Sequence, residues 1–397
     1  MSISGGSHIA QIHFAANHTL NDWIEIPVTE EIGDYSLQDH IQPFLTPMNN
    51  FRFRLEDVIM ASDRYLHISN GRTVSTPPPT QVLNNWLDML RWEASHFWDV
   101  TSNGNVLIPR NTLAVTHEHR RRAAELLGCG ISLLFSEQRL GVPRQQFYFF
   151  NHHASRPDFI FNLNRNFRSG VVFNQYQYGI ESRMRKSQPR LNSSDHESLD
   201  KKKIASAHMA GIIAIYCFYG SGTHRNNAKK TRIHLADPPG DGQEISIEEN
   251  AMINLIHYAG VCSRIGLWGP LETILTKLPV VGYKSYRKLE ELLLPREKGV
   301  FDSESNAPHR EVEPIRLEES SYLSSISSEQ LEDERDTSSE SSRNMKWGLN
   351  NKVLKFIETE DWPALAQFKD PESNVFEPLR ENRYVTSDGV IRILPED

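Results

Sequence analysis

Residues Ile212 to Tyr219 form an apolar run of strand length in which polar and apolar positions do not alternate. A strand with one wet face alternates, so a continuous run predicts a strand buried on both faces, at the centre of a sheet. Burying both faces needs other elements packed above and below it. This one segment therefore points to an α/β architecture.

The segments before it supply partners. Thr116 to about Gln138 reads as a helix, with Ala123, Ala124, Leu127, Ile131 and Leu134 on one stripe. Gly128 and Gly130 weaken that helix in its middle. Phe147 to Phe150 reads as a short strand. Asp158 to Phe161 and Val171 to Tyr178 are rich in β-branched and aromatic residues and flank Arg168-Ser169-Gly170, the pattern of a hairpin. Ser194-Asp195-His196-Glu197 has the spacing of a capping box and predicts a helix running through Lys201-Lys202-Lys203 to about His208, with Gly211 as its stop. The order is helix, three strands, helix, strand.

The hairpin fixes a constellation. If its turn centres between Ser169 and Gly170, Asp158 faces Glu181. Directly opposed residues of an antiparallel pair share a face, with Cβ atoms about 5 Å apart. Arg183, two residues on, joins that face. Two close carboxylates repel unless a cation or a shared proton lies between them, which suits a divalent metal.

This element order, with Pro157-Asp158 and Glu181-Ser182-Arg183 at these places, resembles the PD-(D/E)xK nuclease superfamily over roughly residues 115 to 235. The resemblance implies a restriction-endonuclease-like core, a mixed central sheet flanked by helices. It implies that Asp158 and Glu181 bind Mg²⁺ or Mn²⁺, and that nucleic acid is the partner. The family's lysine, two residues after the second acid, is replaced here by Arg183. Arginine stays protonated and cannot act as a base, but it can bind phosphate or stabilise developing charge. Lys186 would need a strand bulge to reach the same face. The family sometimes adds a glutamate from the first helix, for which Glu125 and Glu118 both stand open; Glu125 is carried forward as the third metal ligand.

Charge agrees. The chain is acidic overall, net -8, yet Arg183, Arg185, Lys186, Arg190, Lys201, Lys202, Lys203, Arg225, Lys229, Lys230 and Arg232 crowd one segment. A basic field beside a carboxylate site suits a phosphodiester, with Lys186, Lys201, Lys202 and Lys203 binding phosphate. A solvated lysine-rich face is the equally weighted alternative.

Four regions are expected. Residues 1–110 form an α+β extension, with strands at His8 to Ala15 and Asp22 to Val28 and helices at Leu55 to Tyr65 and Thr80 to Trp98. It is either a small domain or an elaboration of the core. Residues 111–295 form the core and its following helices. Residues 296–345 are rich in Ser and Glu, and disorder is expected there. Residues 346–397 regain Trp, Phe and Leu, with a small helix within Lys352 to Phe368.

Cys129, Cys217 and Cys262 sit far apart in apolar contexts and read as buried free thiols of a reducing compartment. No signal-peptide pattern or membrane-length apolar run is present, which implies a soluble intracellular protein, cytoplasmic or nuclear. Zinc is disfavoured by the spacing of His117, His119, His152 and His153. A hydrolase triad at Asp195-His196 is disfavoured by the lack of a Gly-x-Ser-x-Gly turn. Asp237 and Asp241 read more readily as acidic turn residues than as metal ligands.

The sequence therefore supports a nuclease-like protein that binds nucleic acid and hydrolyses phosphodiesters with a divalent metal. The alternative is a catalytically degenerate nuclease fold kept for nucleic-acid binding or as a protein-interaction scaffold. The missing lysine and the acidic serine-rich stretch, which offers a surface to a protein partner, favour the alternative. Both readings leave room for a homodimer and give no role to a membrane.

Overall fold

The computed structural model describes residues 23–37, 50–70, 99–100, 106–107, 117–149, 158–164, 175–186, 191–205, 211–219, 231–237, 244–245, 247–277, 312–317, 320–325, 346–375 and 383–393. The expected elements at His8 to Ala15 and Thr80 to Trp98 lie outside these residues, as does the hairpin turn.

In chain order the first half reads β1 (Trp23–Glu30), β2 (Asn50–Arg54), α1 (Leu55–Asn70), β3 (Asp99–Val100), β4 (Val106–Leu107) and α2 (His117–Arg139). It continues with β5 (Tyr148–Phe149), β6 (Phe159–Asn164), β7 (Gln175–Lys186), α3 (Ser193–Ala205), β8 (Gly211–Tyr219), β9 (Arg232–Ala236) and β10 (Glu244–Ile245). Then come α4 (Ile247–Ile265), α5 (Trp268–Lys277), β11 (Val312–Arg316), β12 (Ser321–Ser325), β13 (Lys346–Asn350), α6 (Asn351–Glu358), α7 (Trp362–Gln367), β14 (Arg383–Val385) and β15 (Val390–Ile393).

Among the described residues the main sheet has the order β2-β1-β9-β8-β7-β6-β5, with β10 beside β7. It is mixed: β8 runs parallel to β7 and antiparallel to β9. β8 is central, and Ile213 to Cys217 are all buried. Helix, three strands, helix, strand appear in the order read from the sequence. β1 and β2 of the N-terminal extension join this sheet, whereas β3 and β4 pair with each other in a separate two-stranded sheet.

Strand alternation gives the sheet two distinct faces. Tyr178, Ile180, Ile213, Ile215, Cys217, Ile233 and Leu235 belong to the large core shared with α1, α2 and α4. Ala214, Tyr216 and Ala236 point the other way, under Leu191 and Leu199 of the α3 segment. α2 is continuous through Gly128 and Gly130, because Gly130 is where it meets α1. A Cβ there would lie 2.5 Å from the Val58 carbonyl oxygen.

β11 and β12 fall within residues 296–345, so the expectation of disorder does not hold at those two strands. They pair into a second sheet of order β11-β12-β13-β15-β14. This sheet is docked on the core by buried polar contacts. Arg392 Nη2 donates to Glu56 Oε1 at 2.6 Å, and Tyr384 Oη donates to Asp57 Oδ1 at 2.9 Å. His257 Nε2 lies 2.6 Å from Asp388 Oδ2. Cys129, Cys217 and Cys262 are buried free thiols, as expected.

Candidate active site

The β6–β7 register pairs Phe159 with Ile180 and Asn164 with Gln175. Continued one residue beyond the end of β6, this register would set Asp158 opposite Glu181. Asp158 Oδ2 accepts the Ser182 backbone N–H at 2.8 Å, which ties the carboxylate to the neighbouring strand. Asp158 is half-buried and Glu181 is 1 % exposed. Glu181 lies beside Ala214 in the parallel β7–β8 pair, and Ala214 beside Ala236 in β8–β9. Both are small, which leaves room for α3 to lie close over this face.

That helix supplies a cation. Lys202 Nζ lies 2.6 Å from Glu181 Oε2, and both side chains are almost fully buried. The sequence reading placed Lys202 on a phosphate-tracking face and looked for the cation at Arg183. The signal that could have located it is helical spacing: Asp195, Leu199 and Lys202 recur at intervals of four and three and are all buried. Lys203 is buried too, so of the three lysines only Lys201 faces solvent, paired at 2.6 Å with Glu197. The expected row of three exposed lysines is therefore corrected to one.

The side chains of Arg183 and Lys186 lie outside the described residues, but the β7–β8 register runs unbroken from Tyr178 to Lys186, without the bulge Lys186 would need. Arg190, Arg225, Lys229 and Lys230 also lie outside the described residues. Glu125 is exposed on α2, whose Ser132 Oγ meets Ser182 Oγ at 2.9 Å on the opposite face of the sheet from Glu181. Among the described residues no three His, Cys, Asp or Glu side chains cluster to hold a metal, so Glu125 does not complete a triad with Asp158 and Glu181. Any ion here would rest on two carboxylates.

Asp195 and His196 are accounted for by the helix start. Asp195 Oδ2 accepts the Asn192 N–H and Asn192 Oδ1 accepts the Asp195 N–H, a reciprocal cap two residues ahead of the expected one. Asp237 is buried at the end of β9, where its N–H donates to the Tyr35 carbonyl at 3.0 Å.

A second polar cluster, which the sequence reading did not find, lies on the same sheet face. His234 Nε2 lies 3.0 Å from Glu31 Oε2, and Nδ1 lies 2.8 Å from Thr29 Oγ1. Burial pulls the imidazole below its ordinary range, against the opposing pull of the Glu31 hydrogen bond. Burial pushes Glu31 up, but hydrogen bonds from His234 and from the Leu191 and Ile32 N–H groups outweigh it and hold the carboxyl low. A neutral imidazole with its proton on Nε2 donates to Glu31, while the single Thr29 hydroxyl proton is shared between His234 Nδ1 and the Ile233 carbonyl, 3.1 Å away.

Comparison of the chain with protein-family models, curated proteins and solved structures found no match.

Proposed function

We propose that this protein is a divalent-metal-dependent nuclease of the PD-(D/E)xK kind, in which Lys202 takes the place of the motif lysine. One observation carries the reading: a lysine ammonium lies 2.6 Å from Glu181, beside the strand position opposed by Asp158. A buried ion pair adds little net stability compared with apolar packing, so stability alone is a poor account of this one. Carboxylate, carboxylate and lysine are the three parts that the resemblance requires, drawn here from two strands and a helix.

Asp158 and Glu181 would hold the ion, since Mg²⁺ is commonly bound through one or two carboxylates with water completing the shell. When bound, such an ion lowers the pKa of its water and polarises the phosphoryl group. Ser182 N–H keeps Asp158 oriented. Lys202 would bring positive charge beside Glu181, where phosphate charge would develop. Lys201, the exposed lysine of α3, would be the one to contact phosphate.

The test is cleavage of single- and double-stranded DNA and RNA in Mg²⁺ or Mn²⁺ by wild type, Asp158→Asn and Glu181→Gln. Asn at 158 still offers an oxygen to the Ser182 N–H, so the fold is retained. Cleavage by wild type and a loss of at least about 100-fold in each variant are expected. Undiminished turnover in Asp158→Asn would refute the assignment. The degenerate-scaffold reading is favoured by the depth at which Glu181 and Lys202 are buried. It requires an inert wild type, with activity appearing only in Arg183→Lys.

A further inference from the structure

We infer that the segment from Glu31 to Tyr35 is a clamp that positions Lys202 on Glu181, making the N-terminal extension a working part of the active site. This rests on the reading of Asp158, Glu181 and Lys202 given above.

α3 has a small apolar footprint. Its segment contributes Leu191 and Leu199 to a cluster with Ala214, Tyr216 and Ala236. A shift of the helix by part of a turn would carry the Lys202 ammonium off Glu181. The chain after β1 adds contacts that hold α3 against such a shift. Glu31 Oε2 accepts the Leu191 N–H at 3.3 Å, ahead of the first turn. The Tyr35 ring stacks on His196 with centroids 4.1 Å apart and planes 9° from parallel. Tyr35 Oη lies 3.0 and 2.9 Å from the two carboxylate oxygens of Asp200, two residues before Lys202. The helix is thus held at its lead-in, its first turn and the turn that carries the lysine.

The clamp is itself fixed to the sheet. Glu31 is held by His234 on β9, and the Tyr35 carbonyl accepts the Asp237 N–H just beyond the same strand. Gly33, at φ +78°, lets the chain turn between these two anchors. Burial, and then the Asp200 carboxylate, push the Tyr35 phenol up to about 12, so it remains a hydrogen-bond donor at neutral pH. Tyr35, Asp200 and Glu31 are positioning residues, acting through the helix and not on substrate.

The test reads Lys202 directly and needs no nuclease activity. The full-length protein is treated with an amine-acylating reagent, and acylation of Lys202 is compared with that of exposed Lys201 in the same molecules by mass spectrometry. Wild type should show Lys202 protected. Tyr35→Phe, which removes only the hydroxyl, should raise the Lys202:Lys201 ratio about tenfold, the effect of losing one hydrogen bond to a charged group on a local opening. Asp200→Ala, which removes the acceptor of the same bond, should do the same and serves if Tyr35→Phe folds poorly. The thiols of Cys217 and Cys262 should stay unreactive in both, which separates local release of α3 from global unfolding. An unchanged ratio in both variants, or a rise that appears only together with thiol exposure, overturns the clamp. Nuclease activity unaffected by Asp158→Asn would instead overturn the function and leave this result standing.

Discussion

His234 is buried between a carboxylate and a hydroxyl, and that placement makes the stability of the fold depend on pH. Its imidazole is held below the ordinary range by burial. As pH falls through about 6.5, the unfolded chain takes up a proton that the folded chain refuses, so stability falls. Glu31, also held low, adds a loss of the same sign further down, as the unfolded carboxyl begins to protonate near about 4.3. The urea midpoint of wild type should therefore decline from about pH 7 to about pH 5 more steeply than that of His234→Gln. Equal slopes in the two proteins would show that His234 is not the titrating group. Neither His234 nor Glu31 stood out in the sequence, because each is a lone polar residue at a strand position or strand end. Only the sheet register, which brings Thr29 beside His234, makes them a unit. Asp158 and Glu181 were legible because a hairpin's own pairing is local and its symmetry fixes which residues face each other.

At the scale of elements, the interior of each helix was easier to read than its ends. α3 was anticipated from a Ser194–Glu197 box, but Asn192 and Asp195 form the cap and Glu197 pairs with Lys201 on the surface. Both patterns satisfy the same spacing rule, and burial of Asp195 decides between them. α2 shows the converse. Two glycines argue against a helix by propensity, yet Gly130 is required where the helix meets α1. Gly130→Ala would gain about 1 kcal/mol of helix propensity. The added methyl would meet the Val58 carbonyl and Ser62 Oγ, a backbone conflict costing about 1–3 kcal/mol. Net destabilisation is expected in urea unfolding. A stabilised variant would mean that the α1–α2 contact is looser than described. Lys202 lies between these cases: its helix was foreseen, but the turn of that helix toward the sheet depends on Tyr35 and Glu31, more than 150 residues earlier in the chain.

Across the whole molecule, parts distant in sequence converge on one sheet. β1 extends it through β9, and the 31–35 segment reaches over α3. The second sheet closes over α1 and α4 through Arg392–Glu56, Tyr384–Asp57 and His257–Asp388. That docking was hidden from a reading by composition. The serine- and glutamate-rich stretch carries few apolar residues, and its strands β11 and β12 gain order because β12 pairs with β13, which in turn pairs with β15. Among the described residues no helix is long and apolar enough to cross a membrane.

The central claim is that Asp158 and Glu181, with Lys202 beside them, form a working divalent-metal site. Isothermal titration of Mg²⁺ and of Mn²⁺ into the full-length protein tests it most directly, with Asp158→Asn as the comparison. The account expects saturable binding by wild type that is lost or weakened at least about tenfold in the variant, the loss of one of two carboxylate ligands. Binding of equal strength in both, or heat from neither, would contradict it.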